Sequence, residues 1–231
     1  QAVRVTSIEE DPDTGTFTLQ AEDWLAGVSS APRYPVQAQG GYAANYNAKA
    51  AGSNTPVIFE PPDLLTVAGL EDWIGASGRG NWGGANVWVS LDGATYKMVG
   101  TISNPCRQGV LTTALPSVED PDKTSVVGVD LSVSKGALLS ASQADADAFA
   151  TLCYVDGELI AYRDSTLTGA NQYNLAYLRR GAYGSTIGAH AAGSAFLRLD
   201  SAVFHYPFTA DQIGKTINVK LQSYNSMGGG P

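Results

Sequence analysis

The sequence predicts a mainly β fold, either an antiparallel β-sandwich or an open barrel with short helical turns, preceded by an N-terminal hairpin and an extended linker. Charged residues make up only 16% of the 231 residues, whereas surface helices are normally rich in Glu, Lys and Arg. Apolar and polar residues alternate in many short runs, and two Asp-Gly pairs separate neighbouring runs, as in β-hairpins.

The first 57 residues divide into two predicted regions. In residues 1–35, Val3, Val5 and Ser7 alternate with polar neighbours, a turn follows at 11–15, and 16–20 returns as a strand. We interpret this hairpin as the end of a preceding domain. Residues 36–57 are predicted to be an extended linker, because positions 37–54 contain no Val, Ile, Leu, Phe or Trp.

Residues 58–231 are predicted to form the main β region, as one sandwich-like domain or as two subdomains divided near 136–145. Asp92-Gly93 and Asp156-Gly157 are predicted to be type I′ hairpin turns. Ser140 is expected to cap a helical turn. The predicted helical turns are Ala141–Phe149 and Thr209–Ile213, and the predicted strands are 64–67, 71–75, 86–91, 95–102, 109–115, 125–133, 152–155, 158–162, 172–178, 195–199 and 216–223.

Composition limits the possible partners. The net charge is −8 and the longest basic cluster is Arg179-Arg180, so we expect no nucleic-acid partner. No apolar stretch approaches the roughly 20 residues of a membrane helix. Cys106 and Cys153 either pair or remain as two half-buried thiols; we favour thiols, because a chain of this length needs no covalent staple. The chain begins at Gln1 and not at Met, so we expect it to be a piece of a longer polypeptide.

The stretch "GRGNWGG", residues 78–84, contains a literal G-x-G-x-x-G. A dinucleotide loop needs a helix after the glycines, because the helix N-terminus holds the pyrophosphate. Residues 86–91 alternate like a strand, which excludes this interpretation. The loop is either a sugar-binding loop or a strand entry. In a glycan site Trp82 would meet sugar C–H faces, and Asn81 and Arg79 would supply polar contacts.

The remaining tryptophans could extend such an aromatic platform. They are Trp24, Trp73 and Trp88. Because Trp73 and Trp88 lie on predicted strands, we interpret these two as core residues.

Catalytic motifs are not evident in the sequence. There are two histidines, His190 and His205, no G-x-S-x-G elbow, and no metal-ligand spacing among Cys and His. Most acids lie in turn clusters, where Asp bonds the local backbone. We therefore expect no enzyme activity, no metal and no cofactor. A hydrolase is kept as a less favoured alternative, since two acids distant in sequence can meet in space.

The stretch "YLRRGAYGST", residues 177–186, combines a strand end with two arginines and two glycines. Arg179 and Arg180 point to opposite faces if the chain is extended. We expect one of them to pair with a carboxylate at a sheet edge or a subunit contact, and the other to be exposed. Arg179, Arg180 and Tyr183 are the interface candidates.

Four segments, 61–102, 154–185, 190–200 and 208–230, together resemble the C-terminal region of phage tail-tip or baseplate hub proteins, which siphophages and gene transfer agents carry. The most distinctive parts are "NWGG-x-x-VWVSLDG" and "L-x-RG-x-x-G-[ST]". The resemblance covers roughly residues 57–231, and the N-terminal hairpin is similar to the end of the preceding hub domain.

This resemblance implies a structural function. Such a protein would be part of the virion tail, assembled in the bacterial cytoplasm, homotrimeric, and in contact with other phage tail proteins or the host surface. The alternative expectation is a carbohydrate-binding module that recognises a host surface polysaccharide. The matching motifs carry no catalytic residue.

Overall fold

The computed structural model describes residues 3–23, 46–66 and 69–230. The chain divides into two compact units, Gln1–Asn45 and Tyr46–Pro231. The fold is mainly β and antiparallel, as the sequence predicts. The predictions for Trp24 and for linker residues 36–45 lie outside the described residues, whereas residues 46–57 belong to the second unit.

The first unit contains the predicted hairpin, formed by β1 (Val3–Asp11) and β2 (Thr16–Asp23). Asp11 closes the turn twice: its carbonyl accepts from Gly15 N at 2.8 Å and its carboxylate accepts from Asp13 N at 2.9 Å. The turn is thus a backbone and Asx turn, in which Asp serves local hydrogen bonding.

A β-bulge changes the faces of this hairpin. The register shifts between Val5 and Ser7, so Thr6 is an extra residue and Val5 and Ile8 pair with Ala21 and Leu19. One face therefore carries the apolar side chains, although simple alternation along β1 separates Val5 from Ile8. The large apolar side chains on that face, all of them exposed, are Val3, Val5, Ile8, Phe17 and Leu19.

The described residues of the second unit form twelve strands, one α-helix and two 3₁₀ turns. The strands are β3 (Val57–Phe59), β4 (Glu71–Gly75), β5 (Trp82–Ser90), β6 (Lys97–Ile102), β7 (Gln108–Leu111), β8 (Asp122–Asp130), β9 (Cys153–Val155), β10 (Glu158–Gly169), β11 (Gln172–Arg179), β12 (Ala195–Arg198), β13 (Phe204–Pro207) and β14 (Asn218–Asn225). The helix is α1 (Gln143–Asp147), and the 3₁₀ turns are Ala182–Gly184 and Ala210–Gln212.

Six of these strands form a closed barrel in the order β10-β11-β8-β7-β12-β9, and β9 pairs with β10 to complete it. Closure leaves no sheet edge in the barrel, so the predicted open barrel is in fact shut. The β9–β10 turn has Asp156 at φ 41° and Gly157 at φ 95°, as a type I′ turn requires. The barrel interior is filled by apolar side chains, among them Leu111, Val127, Val129, Ile160, Tyr162, Leu175 and Phe196.

Two three-stranded sheets complete the second unit, with orders β13-β4-β3 and β14-β5-β6. Alternation on β5 sends Val87 and Val89 into a core shared with Ile74 of β4. A third apolar cluster, which includes Phe59, Trp73 and Leu197, joins β3 and β4 to the barrel strand β12. The motif-bearing segments therefore lie in one continuous folded unit.

Some local predictions are wrong. Asp92 does not have a positive φ, and its carboxylate accepts from Ala94 N and Thr95 N, so a six-residue loop replaces the type I′ turn. Helix α1 is shorter than predicted and is capped by Ser142, whereas Ser140 donates to Ser165 O of β10. Residues 63–65 form a turn and not a strand.

Both cysteines are free and fully buried, whereas half-buried thiols were expected. Burial raises the pKa of the Cys106 thiol to about 11 and that of Cys153 to about 12. Each thiol donates to a backbone carbonyl, of Ala202 and Thr151 respectively. These are structural thiols with little thiolate character.

Barrel closure depends on a glycine in β7. A Cβ built at Gly109 would lie 1.9 Å from the Asp130 carbonyl oxygen of β8, so we expect Gly109→Ala to lower the free energy of unfolding by about 1–3 kcal/mol. Urea unfolding followed by circular dichroism measures this. Gly52→Ala is the matched control, because no atom lies within 4 Å of its Cβ position, and equal midpoints for the two variants would contradict the prediction.

Candidate functional site

The glycine loop, residues 78–84, turns directly into strand β5. Trp82 N donates to Arg79 O at 3.0 Å, and Gly80 has φ 53°. A Cβ at Gly83 would lie 2.2 Å from Asn225 O, so glycine allows β14 to approach closely. The segment that follows is a strand, and no helix N-terminus is available there to hold a phosphate.

Trp82 is half-buried, and its ring covers the backbone of Gly78, where a Cβ would lie 2.0 Å from the indole. The ring also packs against the core cluster that contains Ile74 and Ala76. Its Nε1 donates to Ser53 Oγ at 3.0 Å. Both the apolar ring and its polar atom are therefore engaged within the chain.

Asn81 and Arg79 contact the same neighbouring segment, residues 46–54. Asn81 Nδ2 donates to Lys49 O and its Oδ1 accepts from Ala51 N, both at 3.0 Å. Arg79 is exposed, and its Nε donates to Asn54 Oδ1 at 3.1 Å. The structure thus brings the three predicted glycan residues together, but as a clamp on a segment that the sequence suggested was part of a linker.

A groove of about 810 Å³ lies beside this clamp. Arg79 lines it, together with residues 51–57, Gln108 of β7 and Val133. Gln108 Nε2 donates to Thr55 O at 3.0 Å, while its buried Oε1 has no hydrogen-bond partner. Apart from Arg79, the groove does not include the predicted site residues.

A buried ion pair lies at the end of β11. The side chains of Arg180 and Glu158 are fully buried, and they form two parallel hydrogen bonds, Nε to Oε1 at 2.7 Å and Nη2 to Oε2 at 2.9 Å. Arg180 also donates to Pro116 O and Gly188 O, both at 2.8 Å. Asp122 Oδ2 lies 3.6 Å from Nη1 and has no other partner. Arg180 therefore has no surface to offer a partner, contrary to its prediction as an interface residue.

Glu158 is bound from several directions. Besides Arg180, it accepts from the backbone N of Gly181 and of Gly188, both at 3.1 Å. His190 Nε2 lies 2.8 Å from Oε2, and the His190 backbone pairs with Leu115. A carboxylate with this many partners has no free lone pair for a substrate. The loop 181–190 is instead tied at both ends to one buried acid.

Sequence reasoning did not identify Glu158, although the signal was present. Glu158 alternates in phase with Ile160 and Tyr162, which point into the barrel. An acid on the inward face of a strand requires a buried cation or several donors. Arg180, already singled out, is the cation that meets this requirement.

The side chain of Arg179 points to the side of β11 opposite to that of Arg180, and it is mostly buried. It forms a bidentate pair with Asp120, at 2.9 and 2.8 Å, and Nη1 donates to Asp147 Oδ1 at 3.1 Å. Its guanidinium lies 5.4 Å from the centroid of the Phe149 ring, which also contacts Tyr183. The expectation that one of the two arginines is simply exposed is wrong, since both are paired.

These contacts shift carboxylate pKa values. Burial alone would raise the pKa of Glu158, but hydrogen bonds from Arg180, His190 and Gly188 N outweigh burial and hold this pKa below its ordinary value. The Arg179 hydrogen bond holds the pKa of Asp120 below its usual range, against a smaller opposing effect of burial. Both groups therefore stay ionised in the folded chain near neutral pH.

The other histidine, His205, stacks on Trp73 with ring centroids 4.0 Å apart. Burial lowers its pKa, and the Glu71 carboxylate 3.6 Å away opposes that shift. Glu71 also accepts from Trp73 Nε1 at 2.7 Å. This cluster packs β4 against β13. Among the described residues, no group of three His, Cys, Asp or Glu is placed to hold a metal ion.

The two strand tryptophans have different surroundings. Trp73 is a core residue, 7% exposed, as interpreted from the sequence. Trp88 is half-buried and lies on the face of β5 opposite to Val87 and Val89, so its interpretation as a core residue is wrong.

Comparison with protein families finds a match in the barrel region. A family model described as Rcc01698-like, C-terminal, matches residues 106–197, which span β7 to β11 and all but the last residue of β12. The match thus covers the barrel and less than half of the chain. No curated protein matches the chain. In the part of the chain that the structure describes, no helix has the length and apolar character to cross a bilayer.

The Arg180–Glu158 pair predicts a large mutational effect. Arg180→Met leaves Glu158 buried without its cation, so we expect the free energy of unfolding to fall by about 3–5 kcal/mol. Urea unfolding measures this loss. The control is Arg163→Ala, which breaks a partly exposed pair with Asp164 and should cost less than about 1 kcal/mol. Combining Arg180→Met with Glu158→Leu should recover part of the loss, and failure to recover any would contradict the orphan-charge explanation.

The lowered pKa of Glu158 implies that the free energy of unfolding falls in acid. Because its pKa is lowered in the folded state, the unfolded chain takes up more protons as the pH falls, and the contribution of Glu158 disappears from about pH 5 downward. Unfolding free energies between pH 7 and pH 3 should show a shallower decline for Glu158→Gln than for the natural chain. Glu119→Gln, at an exposed position, serves as the control and should leave the slope unchanged.

Proposed function

We propose that this chain is a structural module of a phage tail-tip or baseplate hub, located in the virion tail and assembled as a homotrimer with other tail proteins. The support is the resemblance of its motifs to such hubs, together with where those motifs lie in the structure. "NWGG-x-x-VWVSLDG" forms the clamp on residues 46–54 and strand β5, and "L-x-RG-x-x-G-[ST]" contains the buried arginine Arg180. The residues of these motifs are used to hold segments in place.

The observation that favours a structural over a catalytic use of this region is the saturation of Glu158. A catalytic acid needs a free oxygen that faces a cavity. Glu158 has both oxygens bound, and His190 beside it is buried in the same network. The loop 181–190 is consequently a rigid feature, suited to holding a constant shape toward a neighbouring subunit.

Location in the particle tests this proposal. A gold-binding tag inserted between Gly214 and Lys215, which are exposed and follow the 3₁₀ turn at 210–212, should be seen by electron microscopy at the tail tip of intact virions. A tag on a capsid protein is the control. Labelling of the capsid, or of no particle, would show that the proposal is wrong.

Recognition of a host surface saccharide is a second candidate function. The half-buried ring of Trp88 favours it, because an aromatic ring on the face of β5 opposite to the core offers an apolar face beside polar groups. Trp82, Asn81 and Arg79 support it less, since the described hydrogen bonds of their side chains are made to residues 51–54 and Lys49.

A further inference from the structure

The outer face of the sheet β14-β5-β6 carries an unusual set of side chains. Trp88 of β5 pairs with Lys220 of β14 and with Met98 of β6, so these three share the face opposite to the core. The next row in phase places Asn86 between Gln222 and Thr101. Two rows of the sheet thus present an indole, two amides, a hydroxyl and an ammonium group to solvent.

Hydrogen bonds hold this face in one arrangement. Gln222 Oε1 accepts from Trp88 Nε1 at 3.1 Å and from Asn86 Nδ2 at 3.4 Å. Asn86 Oδ1 accepts from Thr101 Oγ1 at 3.2 Å. The Gln222 amide is therefore oriented with its Nε2 left as a donor, and the indole is fixed with its ring at the surface. Such preorganisation reduces the entropy lost when a ligand binds.

A cation is positioned beside the indole. Lys220 Nζ lies 3.6 Å from the centroid of the Tyr96 ring, a cation–π contact. An ammonium group carries three N–H donors, and the Tyr96 ring contacts only one side of the Lys220 ammonium group. Lys220 therefore keeps donors that can face a ligand. A depression of about 410 Å³ is lined by Trp88, Tyr96, Lys220, Leu221 and Gln222.

The charge of this face differs from that of the chain. The whole protein has a net charge of −8, whereas seven residues around Trp88 carry one positive charge and no carboxylate; the next row of the same face holds Ser90, which binds the Asp92 carboxylate. The seven residues are Asn86, Trp88, Tyr96, Met98, Thr101, Lys220 and Gln222. The Lys220 ammonium group therefore gives this part of the face a local attraction for an anionic group.

We propose that this face binds an acidic saccharide, with a pyranose ring against Trp88 and a carboxylate or phosphate substituent at Lys220. The sugar C–H face matches the indole, the hydroxyls match the Gln222 amide, and the acidic substituent matches the ammonium group. A second protein chain fits this face less well, because the core of a protein–protein interface is apolar and this face is mostly polar. Of its seven residues, Met98 is the one that exposes a large aliphatic side chain. This inference deepens the second candidate function and does not depend on assignment to a tail hub.

The test is a microarray of oligosaccharides from bacterial surface polysaccharides, in acidic and neutral forms, followed by calorimetric titration of the best-bound member. We expect saturable binding of acidic members. Trp88→Ala should weaken it by about tenfold or more. Lys220→Gln should reduce the preference for acidic over neutral forms by several-fold, and its binding should depend less on salt.

Matched controls separate binding from folding. Tyr46→Ala removes an aromatic ring that is 64% exposed elsewhere on the second unit, and Lys123→Gln removes an exposed charge of the barrel; both should leave affinity unchanged. Gln222→Ala, at an exposed position, provides a variant that should fold even if Trp88→Ala does not. The inference is wrong if no saccharide binds. It is also wrong if binding is unchanged in Trp88→Ala and Gln222→Ala, or if the chain self-associates through this face. Saccharide binding by a chain absent from virions would instead overturn the tail-hub proposal alone.

Discussion

The buried pair of Glu158 and Arg180 is the interaction on which the second unit depends most. Two charges removed from water must satisfy every donor and acceptor locally, or the barrel would lose stability. The chain meets this demand by drawing backbone from distant segments to one point: Pro116 before β8, Gly181 after β11, and Gly188 further along the same loop. The ion pair therefore determines the path of the connections at one end of the barrel.

The glycine loop performs a similar task with neutral groups. Asn81 offers one donor and one acceptor to the segment 46–54, and Trp82 adds a third hydrogen bond and an apolar ring. At the other end of that segment, Asn225 of β14 donates to the carbonyls of Tyr46 and Ala48. A stretch without Val, Ile, Leu, Phe or Trp is thus held mainly by hydrogen bonds, to its backbone groups and to the side chains of Ser53 and Asn54.

Much of the fold could be predicted, and the failures have identifiable causes. Alternation and Asp-Gly turns located most strands, since both signals are local. Closure of the barrel was not predictable, because it depends on the pairing of β12 with β7 and with β9, strands distant in sequence, which local patterns do not encode. Asp92 was misassigned because its side chain bonds two backbone N–H groups and so stabilises a longer loop.

The candidate sites, like the fold, could be predicted only as far as local sequence signals reach. One of Arg179 and Arg180 was expected to pair with a carboxylate, yet the sequence could not say which, nor that the partner of Arg180 is Glu158, 22 positions earlier. Residues 46–54 were taken for linker because hydrogen bonding by a polar segment leaves no hydrophobic signal. Trp88 was assigned to the core on propensity, whereas the phase of Val87 and Val89, both apolar, already placed it on the opposite face.

The bulge at Thr6 has a consequence for how the hairpin tolerates changes in length. Because Thr6 stands outside the regular pairing, its loss would leave Val5 opposite Ala21 and Ile8 opposite Leu19, as they are now. A residue inserted at Thr18, in the middle of the regular ladder, would move Phe17 to the opposite face or require a second bulge. Over evolutionary time, single-residue insertions and deletions should therefore accumulate at position 6 and be rare in β2.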